Sequence, residues 1–109
     1  MLFRSTALRR DLEASREQFE QYRASVVATL EERPAGELSR ALDAILPDLV
    51  FYEGRACAAT LGQARLDAGG GPAEVSAELS RGLVEQQAAR RGGDFLAGFA
   101  SMLARTNRG

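Results

Sequence analysis

Apolar side chains in the first third of the chain recur at the spacing of an α-helix. Between residues 4 and 32 they return every three, four or seven positions, and arginine, glutamate and glutamine occupy the positions between them. The same segment contains no glycine or proline, so nothing in it interrupts a helix before Pro34. We therefore predict one long amphipathic helix over about residues 4–32. Its apolar face consists of Leu8, Leu12, Phe19, Tyr22, Val26 and Leu30.

Proline and glycine divide the remaining sequence into further segments with helical periodicity. Pro47 either kinks a helix or begins a new one, since proline is tolerated in the first turn of a helix. The run DAGGGP, residues 67–72, is the strongest interruption in the chain, and no segment alternates like a strand. We predict an all-α protein, a single domain over residues 1–109 in which four or five helices form a bundle. After the first helix, the predicted elements are helices over 36–46, 47–67, 72–91 and 94–105 and a flexible tail over 106–109.

The first predicted helix is long for a chain of 109 residues. At a rise of 1.5 Å per residue, about 28 helical residues span roughly 42 Å. A compact domain of about 100 residues has a radius of gyration near 13 Å, which corresponds to a diameter of very roughly 34 Å. Part of the helix would extend beyond a monomeric globule, and a second copy of the chain would cover it. We predict a homodimer or a subunit of a larger assembly, with the apolar face of this helix at the interface.

The composition removes most of the side chains that carry out enzymatic chemistry. The chain has no histidine, and all 14 basic residues are arginine. It therefore lacks the usual general base near neutral pH, the amine of a Schiff base and the imidazole ligands of many metal sites. Glutamates on the first helix resemble carboxylate metal sites in their spacing, but those sites normally include a histidine three residues from a glutamate. We predict that the protein is not an enzyme and has no catalytic residue, metal or cofactor.

Charge and cysteine content restrict the expected partners and compartment. The formal net charge is −1, and arginine and acidic residues are mixed along the whole chain, which favours neither nucleic acid nor an anionic membrane as a partner. The N-terminal segment becomes charged at its fourth residue and lacks the apolar core of a signal peptide. A single cysteine cannot form an internal disulfide, which fits a reducing compartment. We expect a cytoplasmic protein, and its richness in alanine, glycine and arginine indicates a bacterial one.

The segment LPDLVFYEGRACAATLG, residues 46–62, contains a stripe of small residues. Gly54, Ala58 and Gly62 follow one another at intervals of four and leave one helix face with almost no side chain. Small side chains allow a second helix to approach closely. We predict that the stripe is the buried face of a central helix. The alternative is a groove that binds a ligand or an outside helix, with Phe51 and Arg55 beside the stripe.

Arg55 and Cys57 are the two chemically distinctive residues of this segment. A guanidinium among apolar atoms needs a carboxylate or several carbonyls, because an unpaired buried charge is strongly destabilising. Asp48, Glu53 or a glutamate of the first helix would supply that carboxylate within the fold, and an acidic partner or ligand would supply it from outside. Cys57 is predicted to be an inert core thiol, because the chain has no lysine or histidine to lower its pKa.

These observations favour a non-enzymatic cytoplasmic protein that binds another protein through helix–helix contacts, as a regulator, an adaptor or a chaperone-like subunit. Two alternatives remain open at this stage. One is a helical bundle that binds a small acidic or apolar ligand near Arg55. The other is a nucleic-acid-binding subunit that uses its clustered arginines, which are Arg9, Arg10, Arg90 and Arg91.

Overall fold

The computed structural model describes residues 2–108 of the chain, with the side chains of residues 6–107. Within this range the chain forms four α-helices and no β-strand, which confirms the all-α prediction. The second helix contacts each of the other three, and its contact with the fourth is the most extensive. The helices are α1 over Leu2–Glu32, α2 over Leu38–Asp67, α3 over Pro72–Ala88 and α4 over Gly93–Arg108.

The first two helices form a long antiparallel hairpin. The turn between them contains Gly36, whose φ of +98° lies in the left-handed region that glycine adopts without steric cost. At the open end of the hairpin, Arg9 Nη1 lies 2.8 Å from Asp67 Oδ1. Near its middle, the ring centroids of Tyr22 and Tyr52 are 5.1 Å apart. The hairpin therefore keeps α1 and α2 side by side over most of their length.

Pro47 lies inside α2, which continues from Leu38 to Asp67 as one helix. Of the two arrangements that the sequence leaves open, the structure therefore shows a proline within a helix rather than a break between two helices. Proline removes the N–H that would bond to the carbonyl of Asp43, one turn earlier. Both residues are exposed, so water can solvate that carbonyl and the helix tolerates the missing hydrogen bond.

Residues with a left-handed backbone end both α2 and α3. After α2, Gly69 has a φ of +95°, and the next N–H donates back to the carbonyl of Arg65. After α3, Arg90 takes the same role with a φ of +59°, and the next N–H donates back to the carbonyl of Gln86. Both ends are Schellman motifs, which satisfy the last carbonyls of a helix. Arginine has a Cβ, so it occupies this backbone region at a cost of about 1 kcal/mol.

The hydrophobic core lies at the open end of the hairpin, where α3 and α4 pack against α2. Its largest fully buried side chains are Phe99, Leu12, Leu79, Met102 and Val75. The molecule is elongated, with extents of 53 × 29 × 21 Å, because the other end of the hairpin extends away from this core. We call residues 23–49, at that far end, the hairpin tip. Val26 is the one buried residue of the tip.

The last helix extends further than the sequence indicates. Residues 106–108, which are predicted to belong to a flexible tail, continue α4 to Arg108. Thr106 is only 4% exposed, and its hydroxyl donates a hydrogen bond to the carbonyl of Leu103 at 2.7 Å. Asn107 accepts a hydrogen bond from Ser76 of α3. One bond within α4 and one bond to α3 thus engage these two polar side chains, and the polar stretch continues as helix. Gly109 lies outside the described residues.

Candidate functional site

Gly54, in the predicted small-residue stripe, lies against the backbone of α4. A Cβ at Gly54 would be 2.9 Å from the carbonyl carbon of Phe95 and nearer still to its oxygen. Across the same contact, a Cβ at Gly98 would be 2.8 Å from the carbonyl carbon of Phe51. Two glycines on facing helices therefore let α2 and α4 touch backbone to backbone. The sequence prediction did not include Gly98: its position between Phe95 and Phe99 indicates close packing of α4 but does not identify the residue that it faces.

The remaining residues of the stripe also contact the chain's own helices. A Cβ at Gly62 would be 3.1 Å from Cδ2 of Leu12 on α1 and 3.2 Å from Cγ1 of Val75 on α3. Ala58 is completely buried in the core. Among the described residues, α1, α3 and α4 together occupy the face of α2 that carries the stripe.

The apolar face of α1 likewise packs inside the chain. Leu8 and Leu12 belong to the core, together with residues of the other three helices. Further along α1, the aromatic ring of Tyr22 meets that of Tyr52 on α2. The predicted overhang of α1 is therefore matched by a second long helix of the same chain. Of the six predicted residues, Leu8, Leu12 and Val26 are buried, and Phe19, Tyr22 and Leu30 are partly buried.

The hairpin tip exposes large apolar side chains instead. Val27 is 48% exposed, Leu38 is 44% exposed and Leu46 is 40% exposed. Val27 follows the buried Val26 by about 100° around α1, and Leu46 follows the partly buried Ile45 by the same angle around α2. Because the two helices are antiparallel, these equal rotations bring Val27 and Leu46 to the same face of the hairpin. The tip therefore has an apolar face that the described chain does not cover.

Arg55 is partly buried, and its Nε atom has no hydrogen-bond partner among the described residues. Burial, and then the positive charge of Arg105 on α4, lower the pKa of Arg55 from its ordinary value. Tyr52 and Asp11 act in the opposite direction and more weakly. None of the carboxylates proposed from the sequence pairs with Arg55: Glu53 faces Arg91 instead, at 4.0 Å. The fold therefore brings two arginines together, and among the described residues no carboxylate lies within ion-pair distance of either.

Cys57 is exposed, contrary to the prediction of a core thiol. It lies one position beyond the buried Ala56, on the edge of α2, where it borders a groove of about 740 Å³ between α1 and α2. Partial loss of hydration in this groove, followed by the charge of Glu53, raises the pKa of Cys57, and Arg91 lowers it by less. The thiol is thus accessible, and its surroundings favour the protonated form.

The same groove is lined by acidic side chains. Glu13, Glu17 and Glu20 border it from α1, and Glu53 borders it from α2. Within the part of the chain that the structure describes, no three carboxylate or thiol groups are placed to hold a metal ion. The groove is a negatively charged surface without the geometry of a metal centre.

Comparison with known proteins gives no relative: no protein-family model, no curated protein and no solved structure matches this chain. The structure by itself defines the class of the protein: an all-helical fold with a long helical hairpin and a core at one end of that hairpin. Among the helices within residues 2–108, none combines the length and the apolar character needed to cross a membrane.

Proposed function

We propose that the protein is a non-enzymatic, cytoplasmic protein-binding module that acts as a homodimer through its hairpin tip. The observation that supports this proposal is the contrast between the two ends of the hairpin. The open end is covered by α3 and α4, whereas the tip has one buried residue and three large apolar side chains that are at least 40% exposed.

A second copy of the tip is the occupant that fits this surface best. Two antiparallel helices bury a single seam, and two such hairpins packed face to face form a four-helix bundle with a central core. A two-fold arrangement uses the same patch on both subunits, so Val27 and Leu46 of each copy would enter the shared core. In this arrangement the part that extends beyond the core is the tip of the whole α1–α2 hairpin, and the tip of the second copy covers it.

Light scattering over a range of protein concentrations tests the proposal. The wild-type chain is expected to show the mass of two chains. Val27→Glu and Leu46→Glu place a charge on an exposed position of the tip, so each is expected to shift the protein to a monomer while its helical circular dichroism is unchanged. Val84→Glu is the matched control, because Val84 is 63% exposed on α3, away from the tip.

Three results would contradict the proposal. The first is a wild-type chain that remains monomeric at every concentration. The second is a dimer that survives both tip substitutions, and the third is a dimer that is weakened equally by Val84→Glu, since either would place the contact elsewhere. The use of the dimer as a regulator, an adaptor or a chaperone-like subunit is part of the same proposal, and it requires the dimer first.

A further inference from the structure

A second groove, of about 480 Å³, runs along α1 beside the acidic one. Arg55 of α2 and Arg105 of α4 line it, and Gln18 and Gln21 of α1 form the opposite wall. Three helices therefore bring two guanidinium groups and two amide groups to one place. These side chains are all hydrogen-bond donors, and the arginines carry the only positive charges of the groove.

No ion pair within the described residues neutralises the two arginines, and Asp11 acts on Arg55 only from beyond ion-pair distance. Neither forms an ion pair with any side chain in residues 6–107, and Arg55 Nε is a buried donor without an acceptor. A buried donor that is left unsatisfied destabilises a protein unless something else satisfies it. Two like charges also repel, and the effect of Arg105 on the pKa of Arg55 reports that repulsion. An anion between the two guanidinium groups would offset this repulsion.

The geometry points to a binding site for a small oxyanion, a phosphate or carboxylate group, between Arg55 and Arg105. A guanidinium presents paired N–H donors that match two oxygens of such a group, and this is the geometry in which arginine binds anions most strongly. The amides of Gln18 and Gln21 would donate to further oxygens. The hydroxyl of Ser15 takes no part, because it already donates to the carbonyl of Asp11 at 2.9 Å.

Glu17 is the one acid that borders the groove. Its carboxylate is exposed and forms no ion pair with either arginine. This carboxylate would repel an anion that enters the groove, so its removal and the removal of an arginine should change the binding affinity in opposite directions. Removal of this charge should strengthen anion binding, whereas removal of either arginine should weaken it.

Calorimetric titration of the full chain with inorganic phosphate, and separately with succinate, tests the site at constant ionic strength. Saturable binding of at least one of them is expected, at one site per chain. Arg55→Gln and Arg105→Gln should each weaken the affinity by about tenfold or more, the loss expected for a hydrogen bond between charged groups. Glu17→Gln should tighten it. Arg10→Gln, at an exposed position on α1, makes the same charge change outside the groove and should leave the affinity unchanged.

The ligand that binds identifies the source of the oxyanion: binding of phosphate alone, of succinate alone or of both supports the site and assigns its chemistry. No saturable binding of either probe overturns the proposal, and so does an equal loss in Arg10→Gln, which would indicate non-specific charge attraction. Arg105 is exposed, so Arg105→Gln remains informative even if Arg55→Gln fails to fold. The site is independent of dimerisation through the tip, because none of its residues lies within residues 23–49.

Discussion

The contact between α2 and α4 depends on two glycines, so replacing either with alanine is a stringent test of the fold. A Cβ at Gly54 would lie 2.9 Å from the carbonyl carbon of Phe95. Ordinary contact between carbon atoms is about 3.5–4.0 Å, so the helices must separate by roughly 1 Å. The obstructing atoms are backbone atoms within a helix, and no change of side-chain rotamer can relieve the clash.

The expected loss of stability combines two opposing effects. Overpacking costs about 1–3 kcal/mol, and a backbone clash belongs at the upper end of that range. Alanine in place of glycine inside a helix returns about 1 kcal/mol through its better helix propensity. We therefore expect Gly54→Ala and Gly98→Ala each to lower the free energy of unfolding by about 2 kcal/mol. The double variant should lose less than the sum, since the first separation of the helices makes room for the second Cβ.

Urea unfolding followed by circular dichroism measures these free energies, and Gly93→Ala is the matched control. Gly93 begins α4 and does not have a positive φ, and a Cβ placed there would meet no atom within 4 Å. The same substitution there should raise the free energy of unfolding by up to about 1 kcal/mol. Equal stabilities of Gly54→Ala and Gly93→Ala would refute the close approach of α2 and α4.

Two further predictions concern the end of α3 and the exposed thiol. Arg90→Gly should raise the free energy of unfolding by about 0.5–1 kcal/mol, because glycine adopts the left-handed backbone without strain. The control is Ala89→Gly, which should lower the free energy of unfolding because Ala89 has an ordinary φ of −78°. A destabilising effect of Arg90→Gly would argue against this Schellman motif. Cys57 should react with a thiol reagent in the folded protein, and the rate should rise with pH as the thiol loses its proton. Glu53→Gln removes a charge that raises the pKa of Cys57, so it should speed the reaction near neutral pH, and an unchanged rate would contradict that electrostatic account.

The sequence predicts the helices well where apolar periodicity and glycine act together. The triple glycine separates α2 from α3, and the uninterrupted periodic segment at the start of the chain becomes α1. Pro47 is harder to interpret, because its effect depends on whether water reaches the freed carbonyl of Asp43, and that exposure is a property of the whole fold. The end of α4 is missed for a similar reason: Thr106 satisfies its hydroxyl by a bond to Leu103, so its polarity does not keep it at the surface.

The candidate sites are less predictable than the helices, because each depends on how separate helices meet. The small-residue stripe indicates close packing, but nothing in the sequence shows that Gly98 of α4 is the counterpart of Gly54. Arg55 stands out among its apolar neighbours, whereas Arg105 gives no signal until α4 carries it to the same groove. The sequence predicts a core position for Cys57 because it lies on the apolar side of its helix with Val50 and Leu61, yet it is exposed although both Ala56 and Ala58 beside it are buried. Ala56 and Ala58 lie about 200° apart around the helix, so the residue between them can point to solvent while both are buried.

Because the core lies at one end of the hairpin, α1 and α2 are each a continuous helix with one end packed in the core and the other end exposed at the tip. Near the open end, the backbone can be exposed to water only if Leu12, Phe99 and Met102 leave the core, which amounts to unfolding the protein. At the tip, little more than Val26 has to move, so the helices can fray there while the rest of the fold persists. A partner that seats on the tip would therefore gain affinity from its contacts and lose part of it to the ordering of the tip itself, which makes the binding weaker but readily reversible.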